Sequence, residues 1–237
     1  MDSVFYPSSE RGRANHGWLE SNFSFSFANY YNPAKMNFGA LRVLNDDIIA
    51  GGTGFGTHAH DNMEIVSIPI YGALEHKDNT GRHEIIKTGD VQIMSAGSGI
   101  SHSEYNASKT DNANFLQLWI FPKIRNIDAR YQQLTFEVAE RQNRFQSVVA
   151  PIKSNKSLWI NQDAWISLGD FDANQTVQFS KNMTSNGIYL FVIDGEINIS
   201  SQKLTKRDAV SLTNFEQTEF YVSEKCKLLV VEIPMTV

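Results

Sequence analysis

His58-Ala59-His60 and His102-Ser103-Glu104 each place two metal-ligand side chains two positions apart. On an extended strand, residues two apart project from the same face. Each triplet can therefore aim two donors at one point, and two such strands side by side can surround one cation. Imidazole nitrogens with a carboxylate oxygen, and no thiolate, suit a single first-row transition metal. Three imidazoles and one carboxylate leave one or two positions of an octahedral ion open, and an open position separates a site for chemistry from a closed structural one. The histidines are His16, His58, His60, His76, His83 and His102, with none further along. An imidazole metal site is thus confined to the first half of the chain.

Strands must hold these triplets, and the chain is composed for strands. Fifteen Phe and eight Tyr among 237 residues favour extended structure. At 41% hydrophobic and 20% charged the chain is globular, long enough for one large β domain or two small ones. Phe23 to Phe27 alternates Phe with Ser and predicts a strand with one buried face. Leu41 to Asn45 predicts another, followed by Asp46 to Ala50 and a turn at Gly51-Gly52. Glu64 to Tyr71 is apolar and β-branched until Gly72 breaks it, and Asp78-Asn79-Thr80-Gly81 has the composition of a hairpin tip. Gly89-Asp90 turns into Val91 to Met94, and the strand Phe115 to Phe121 stops at Pro122. From Asp128 to Arg144 the texture becomes polar, which predicts a domain junction and a short helix. Gly187 to Ile193 then predicts a strand ending at Asp194-Gly195, with Glu196 to Ser200 returning. Arg207 to Leu212 echoes Gly89 to Ile93, so the second half repeats the rhythm of the first. Many short strands with little helix favour barrels or sandwiches.

Gly52 precedes His58 by six positions and Glu64 follows His60 by four; Gly89, Gly99, His102 and Asn106 follow in order. These intervals resemble the two motifs of the cupins, antiparallel jelly-roll barrels. More narrowly, Ser21 to Phe27, Met36-Asn37-Phe38-Gly39, Leu41-Arg42-Val43, His58 to Glu64 and Ser95 to Glu104 resemble the pirin family. The likeness is dense from about Arg11 to Phe121 and thinner beyond. It implies an all-β bicupin of two tandem jelly-roll β-barrels: an N-terminal metal-binding domain (1–132) and a C-terminal domain (133–237) without ligands. The absence of histidine after position 102 agrees. The general cupin pattern would take its carboxylate from Glu64, whereas the pirin pattern takes Glu104. Glu104 shares a face with His102 and is the first choice beside His58, His60 and His102; Glu64 would then stand near the metal or support its ligands.

The resemblance further implies a mononuclear divalent metal, Fe(II), although Mn, Ni, Cu or Co would suit the same donors. It implies quercetin 2,3-dioxygenase activity: O₂ opens the ring of a flavonol, a small polyphenolic aromatic, and CO leaves. Glu104 would both ligate and accept the enol proton. Phe55, Met63, Gln117 and Trp119 are candidates for the pocket wall, while the alternating stripe Phe115, Gln117, Trp119 and Phe121 reads first as core. A second function implied by the family is an iron-dependent, redox-responsive module that regulates a protein partner without turnover. His76 beside the hairpin tip and His83 in a charged loop read as solvated, and His16 lies where the pirin pattern has no ligand.

Charge and cysteine content narrow the setting. The net charge of −5 with scattered cations lacks the basic face that direct nucleic-acid binding needs. No stretch approaches the roughly 20 apolar residues of a membrane span, and Met1 to Phe5 carries no signal-like start. A cytoplasmic protein is the expectation. Cys226, the single cysteine, permits no intramolecular disulfide and sits in an apolar strand as a small hydrophobe. Two barrels in one chain can mimic a cupin dimer, so a monomer is expected.

Overall fold

The structure is a computed structural model that describes residues 1–236. The first half forms β1 (Asp2–Tyr6), β2 (Gly12–Asn15), β3 (Leu19–Phe23), β4 (Leu41–Ile49), β5 (Gly54–His60), β6 (Glu64–Tyr71), β7 (Ala73–Asp78), β8 (His83–Lys87), β9 (Asp90–Ser95), β10 (Ile100–Asn106), β11 (Ala113–Ile120) and β12 (Arg130–Thr135). The second half forms β13 (Phe145–Ala150), β14 (Leu158–Trp159), β15 (Trp165–Phe171), β16 (Gln175–Ser180), β17 (Asn186–Ile199), β18 (Gln202–Leu204), β19 (Ala209–Thr213) and β20 (Gln217–Pro234). The helix expected near the junction is one 3₁₀ turn, Val138–Arg141.

Two jelly-roll barrels result, as expected. In the first, a seven-stranded sheet in the order β12-β9-β6-β11-β4-β3-β2 faces a four-stranded sheet, β5-β10-β7-β8. The second is wrapped from a nine-stranded sheet built on β1-β19-β17-β20-β15-β13-β14, with β16 on β20 and β18 on β17. The division expected at 132/133 falls inside β12, all six residues of which pair with β9 of the first barrel. β1 departs from the linear division as well, pairing from Asp2↔Thr213 to Tyr6↔Ala209 with β19 of the second barrel.

The repeated rhythm of the two halves has a structural counterpart. Asp90 accepts the Lys87 N–H and Asp208 the Thr205 N–H, each at 2.9 Å and each three residues back along the chain. Gly72 (φ 76°) carries the chain from β6 in one sheet to β7 in the other. Its counterpart Gly195 (φ 85°) does not end a strand: β17 continues through it, bulging against β20. A Cβ there would lie 2.1 Å from the Lys225 carbonyl oxygen, so only glycine lets the two strands stay together through the bend.

Two other strand expectations change for tertiary reasons. β3 ends at Phe23, and Ser24 to Ser26 are buried on every side rather than on one face. Phe25 packs on Tyr189 of the second barrel, while Phe23 and Phe27 meet each other 5.7 Å apart on the opposite side. Leu41 to Asn45 and the segment that follows from Asp46 form the single nine-residue β4 (Leu41–Ile49). Asp46 is held there by Arg207 at 2.8 Å and Arg11 at 3.6 Å, and it accepts a 2.8 Å bond from Asn114. These partners offset the low strand propensity of Asn and Asp.

The core is divided unequally. Leu44, Val66 and Leu118 of the first barrel pack with Tyr189, Leu229 and Val231 of the second in one seam between the two large sheets. The second barrel is filled by apolar groups such as Phe171, Leu190, Phe220 and Leu228. The first holds two smaller apolar clusters, Leu19, Ile49, Leu74, Ile86 and Phe115 in one and Ile65, Met94, Ala96 and Ile100 in the other. The remaining interior is polar and open, and it holds the histidines.

Candidate metal centre and its cavity

β5 and β10 run antiparallel with His58 directly opposite His102 and His60 opposite Ile100. This register gathers three imidazoles whose ring centroids lie 4.5, 4.8 and 5.0 Å apart. One nitrogen of each lies within 4.8 Å of the others. His58 Nδ1 meets the Gly56 carbonyl oxygen at 2.8 Å, and that oxygen can only accept, so the proton sits on Nδ1 and Nε2 is free. Burial, reinforced by the neighbouring imidazoles, pulls the His60 pKa down to about 4 and that of His102 to about 3. Both rings are therefore neutral at pH 7, the form that binds a metal. His102 Nε2 is buried with no hydrogen-bond partner. A buried lone pair left unmet is costly, and a shared cation is the species this donor set fits.

Glu104 follows His102 on the inward face of β10 and is 2% exposed. Ser67 Oγ on β6 donates to its Oε1 at 3.2 Å, and Gln117 Nε2 on β11 to its Oε2 at 2.7 Å. Trp119 Nε1 in turn donates to Gln117 Oε1 at 3.1 Å, fixing the amide. Glu104 groups with His102 and His76, not with the His58-His60-His102 set, and Glu64 joins neither group among the described residues. Asn62 (φ 45°) turns the chain after β5, so Glu64 opens a strand of the other sheet. There it accepts from Ser95 Oγ at 2.7 Å and from the Asn161 N–H at 3.2 Å, facing the seam.

His76 is not solvated as its hairpin setting suggested; it is completely buried. Its Nε2 lies 2.9 Å from Asp78 Oδ2 and its Nδ1 3.5 Å from His102 Nδ1. Burial works against a charge on Asp78, yet hydrogen bonds from Thr80 and His76 outweigh it and hold the carboxyl below its usual range. One proton arrangement satisfies the chain: His76 Nε2–H donates to Asp78, and His102 Nδ1–H donates to His76 Nδ1. The His102 Nε2 lone pair is then left free to bind a cation, as in a ligand histidine whose other nitrogen is held by a hydrogen bond. The missed signal was the spacing His76-Lys77-Asp78, the same two-residue step as the ligand triplets, with His76 opposite Glu104. His83 does reach the surface, where its Nε2 meets Glu75 Oε1 at 2.6 Å, on strand β8 rather than in a loop.

A cavity of about 620 Å³ opens beside these groups, lined by His58, His60, Glu104 and aromatic side chains. Trp119 stands edge-on to His60 at 4.8 Å and to Phe27 at 5.2 Å, and Trp18 edge-on to Phe55 at 5.3 Å. Phe55, Gln117 and Trp119 line it as expected, with Trp18, Phe23, Phe27 and Tyr30 added from segments the sequence did not connect to it. Met63 instead packs against Ile65, Met94 and Ile100, and Phe121 against the seam. A slot with aromatic walls and oxygen-seeking chemistry at one side suits a flat aromatic molecule bearing an oxygen donor.

Comparison with known proteins agrees with this geometry. Residues 5–120 match the family profile described as Pirin, and residues 147–233 match the quercetinase C-terminal cupin domain. The quercetin 2,3-dioxygenase of Escherichia coli (strain K12) is 38% identical over 229 residues, covering 95% of this chain and 96% of that protein. A pirin-like protein of Caulobacter vibrioides is 35% identical over 95% of this chain and 97% of its own. The crystal structure of the bacterial pirin YhhW from Escherichia coli in complex with nickel(II) superposes with a TM-score of 0.93 at 36% identity, over the full length of both chains.

Proposed function

The chain belongs to the pirin family, and from that premise we propose that it is a metal-dependent oxygenase of the quercetin 2,3-dioxygenase type. Its ligands are His58, His60, His102 and Glu104, its metal is Fe(II), and its substrate is a flavonol or related polyphenol. The observation that carries the reading is the unpartnered, buried His102 Nε2, grouped with two further imidazoles that line an aromatic slot. The name of the E. coli relative supports the substrate class, and the nickel(II) in YhhW supports a divalent first-row cation in such a barrel.

Held by these donors, iron(II) would supply a Lewis-acidic, redox-active centre. The protein contributes position and proton handling. Asp78 and His76 set the tautomer of His102, and Gly56 sets that of His58. Glu104 Oε1, held only by the longer Ser67 bond, is the oxygen that accepts the enol proton of the flavonol. Gln117 keeps the other oxygen of that carboxylate in place. Trp119, Phe27 and Phe55 hold the ring and exclude water from it.

The test is metal analysis of the purified protein, followed by O₂ uptake and CO release with quercetin after iron loading. Consumption of O₂ by the wild type, with metal and activity lost together in His102→Ala, is the expected result. A metal-loaded protein that consumes no O₂ with several flavonols overturns the oxygenase reading, and redox-dependent partner binding would then favour the regulatory module.

A further inference from the structure

The cavity has a second polar region that the metal centre does not use. β4 presents Asn45 and Asp47 to the barrel interior, while Asp46 between them turns to the seam and Arg207. Asn45 is 2% exposed and Asp47 3%, and both line the cavity. Each keeps a side-chain oxygen, Asn45 Oδ1 and Asp47 Oδ1, with no hydrogen-bond partner among the described residues. Two neighbouring buried acceptors left unmet are unusual in a folded interior. A ligand able to meet them is the economical explanation.

The sheet register locates this region relative to the metal ligands. Asn45 lies directly opposite Gln117 of β11, and Gln117 is the residue that holds Glu104. Asp47 lies one step further along β4, opposite Phe115 on one side and Ser21 of β3 on the other. Phe23, opposite Asn45, adds an aromatic wall at the same level. Asn45, Asp47, His58, His60 and Glu104 line one cavity, so a molecule with one oxygen at the metal centre and its ring in the slot can meet Asn45 and Asp47 with a second polar group.

We propose that Asn45 and Asp47 form a second anchor for the substrate, binding a phenolic hydroxyl on the part of the molecule remote from the metal-bound oxygen. The chain would accordingly select polyhydroxylated flavonols over those bearing only the 3-hydroxyl; this rests on the flavonol reading above. Burial raises the Asp47 carboxyl to about 7, against an opposing Ser21 hydrogen bond. Near neutral pH it is available both as carboxylate and as acid, and a phenol can donate to the first or accept from the second. A ring without that hydroxyl leaves both oxygens unmet.

The test compares quercetin with 3-hydroxyflavone, which lacks quercetin's other hydroxyls, on anaerobic nickel-loaded protein. Binding is read by quenching of the cavity tryptophans Trp18 and Trp119, with metal content measured alongside. The wild type should favour quercetin by about tenfold or more, the worth of one satisfied hydrogen bond. Asp47→Ala should cut that ratio to about two- or threefold, and Asp47→Asn, which retains hydrogen-bonding capacity, should keep more of it. An undiminished ratio in Asp47→Ala with full metal content overturns the anchor while leaving the flavonol reading standing. Failure of the wild type to bind either flavonol overturns both. Should Asp47→Ala not fold, Asn45→Ala decides by the same ratio.

Discussion

The two ring nitrogens of His102 are held differently, and this division is testable at single residues. Nε2 is buried without a hydrogen-bond partner, whereas Nδ1 is steadied by His76 and through it by Asp78. Removing such a support costs roughly 10- to 100-fold in metal affinity, so His76→Ala should weaken metal binding by that factor in a chelator competition while His102→Ala abolishes it. Asp47 gives a prediction in pH. Its pKa in the fold stands near 7 against 3.8 for the free group, so the folded state prefers the protonated acid. The stability it contributes is fully present below about pH 4 and is lost as pH rises through 7. Asp47→Asn in metal-free protein should therefore melt above wild type at pH 8, and the two curves should converge toward pH 4. The candidate triplets stand out in the sequence because their step of two is also the step of a strand face, and the register of β5 with β10 brings His58, His60 and His102 together. His76 has the same step to Asp78, but the turn residues after it suggested solvent, and only the pairing of β7 with β10 turns it inward.

The elements fix how closely the ligands can gather. β5 lies against β10 so tightly that a Cβ on Gly54 would sit 2.4 Å from Tyr105 Cα. Gly54→Val should push the strands apart and separate His58 and His60 from His102. We expect a stability loss of about 1–3 kcal/mol, seen in thermal melts, with metal affinity falling by more than that loss explains. The strands themselves were readable where the run is continuously apolar and β-branched or aromatic, as in Glu64 to Tyr71 and Phe115 to Ile120, both covered on both faces. They were harder to read where distant parts of the chain decide the local geometry. β4 carries its acidic run because Arg207, Arg11 and Asn114 arrive from elsewhere in the chain, and Phe25 leaves its neighbours' face to reach Tyr189. No local pattern contains those partners.

For the molecule as a whole, the two barrels have opposite interiors within one architecture. The second is closed by Phe171, Phe220 and their neighbours, and the first keeps polar groups and space. Phe220→Ala should destabilise the protein by about 3–5 kcal/mol in denaturant titrations, with metal stoichiometry unchanged in the molecules that remain folded. The absence of histidine past position 102 made this division of labour visible in advance; the seam was not visible, because it joins residues far apart in the chain. The pairing of β1 with β19 has a consequence for biogenesis. During synthesis β1 leaves the ribosome early and β19 late, so the nascent amino end must wait for almost the entire polypeptide before its ladder can close. A chain stalled before β19 has emerged would carry β1 as an unattended edge, exposed to adhesion between neighbouring copies.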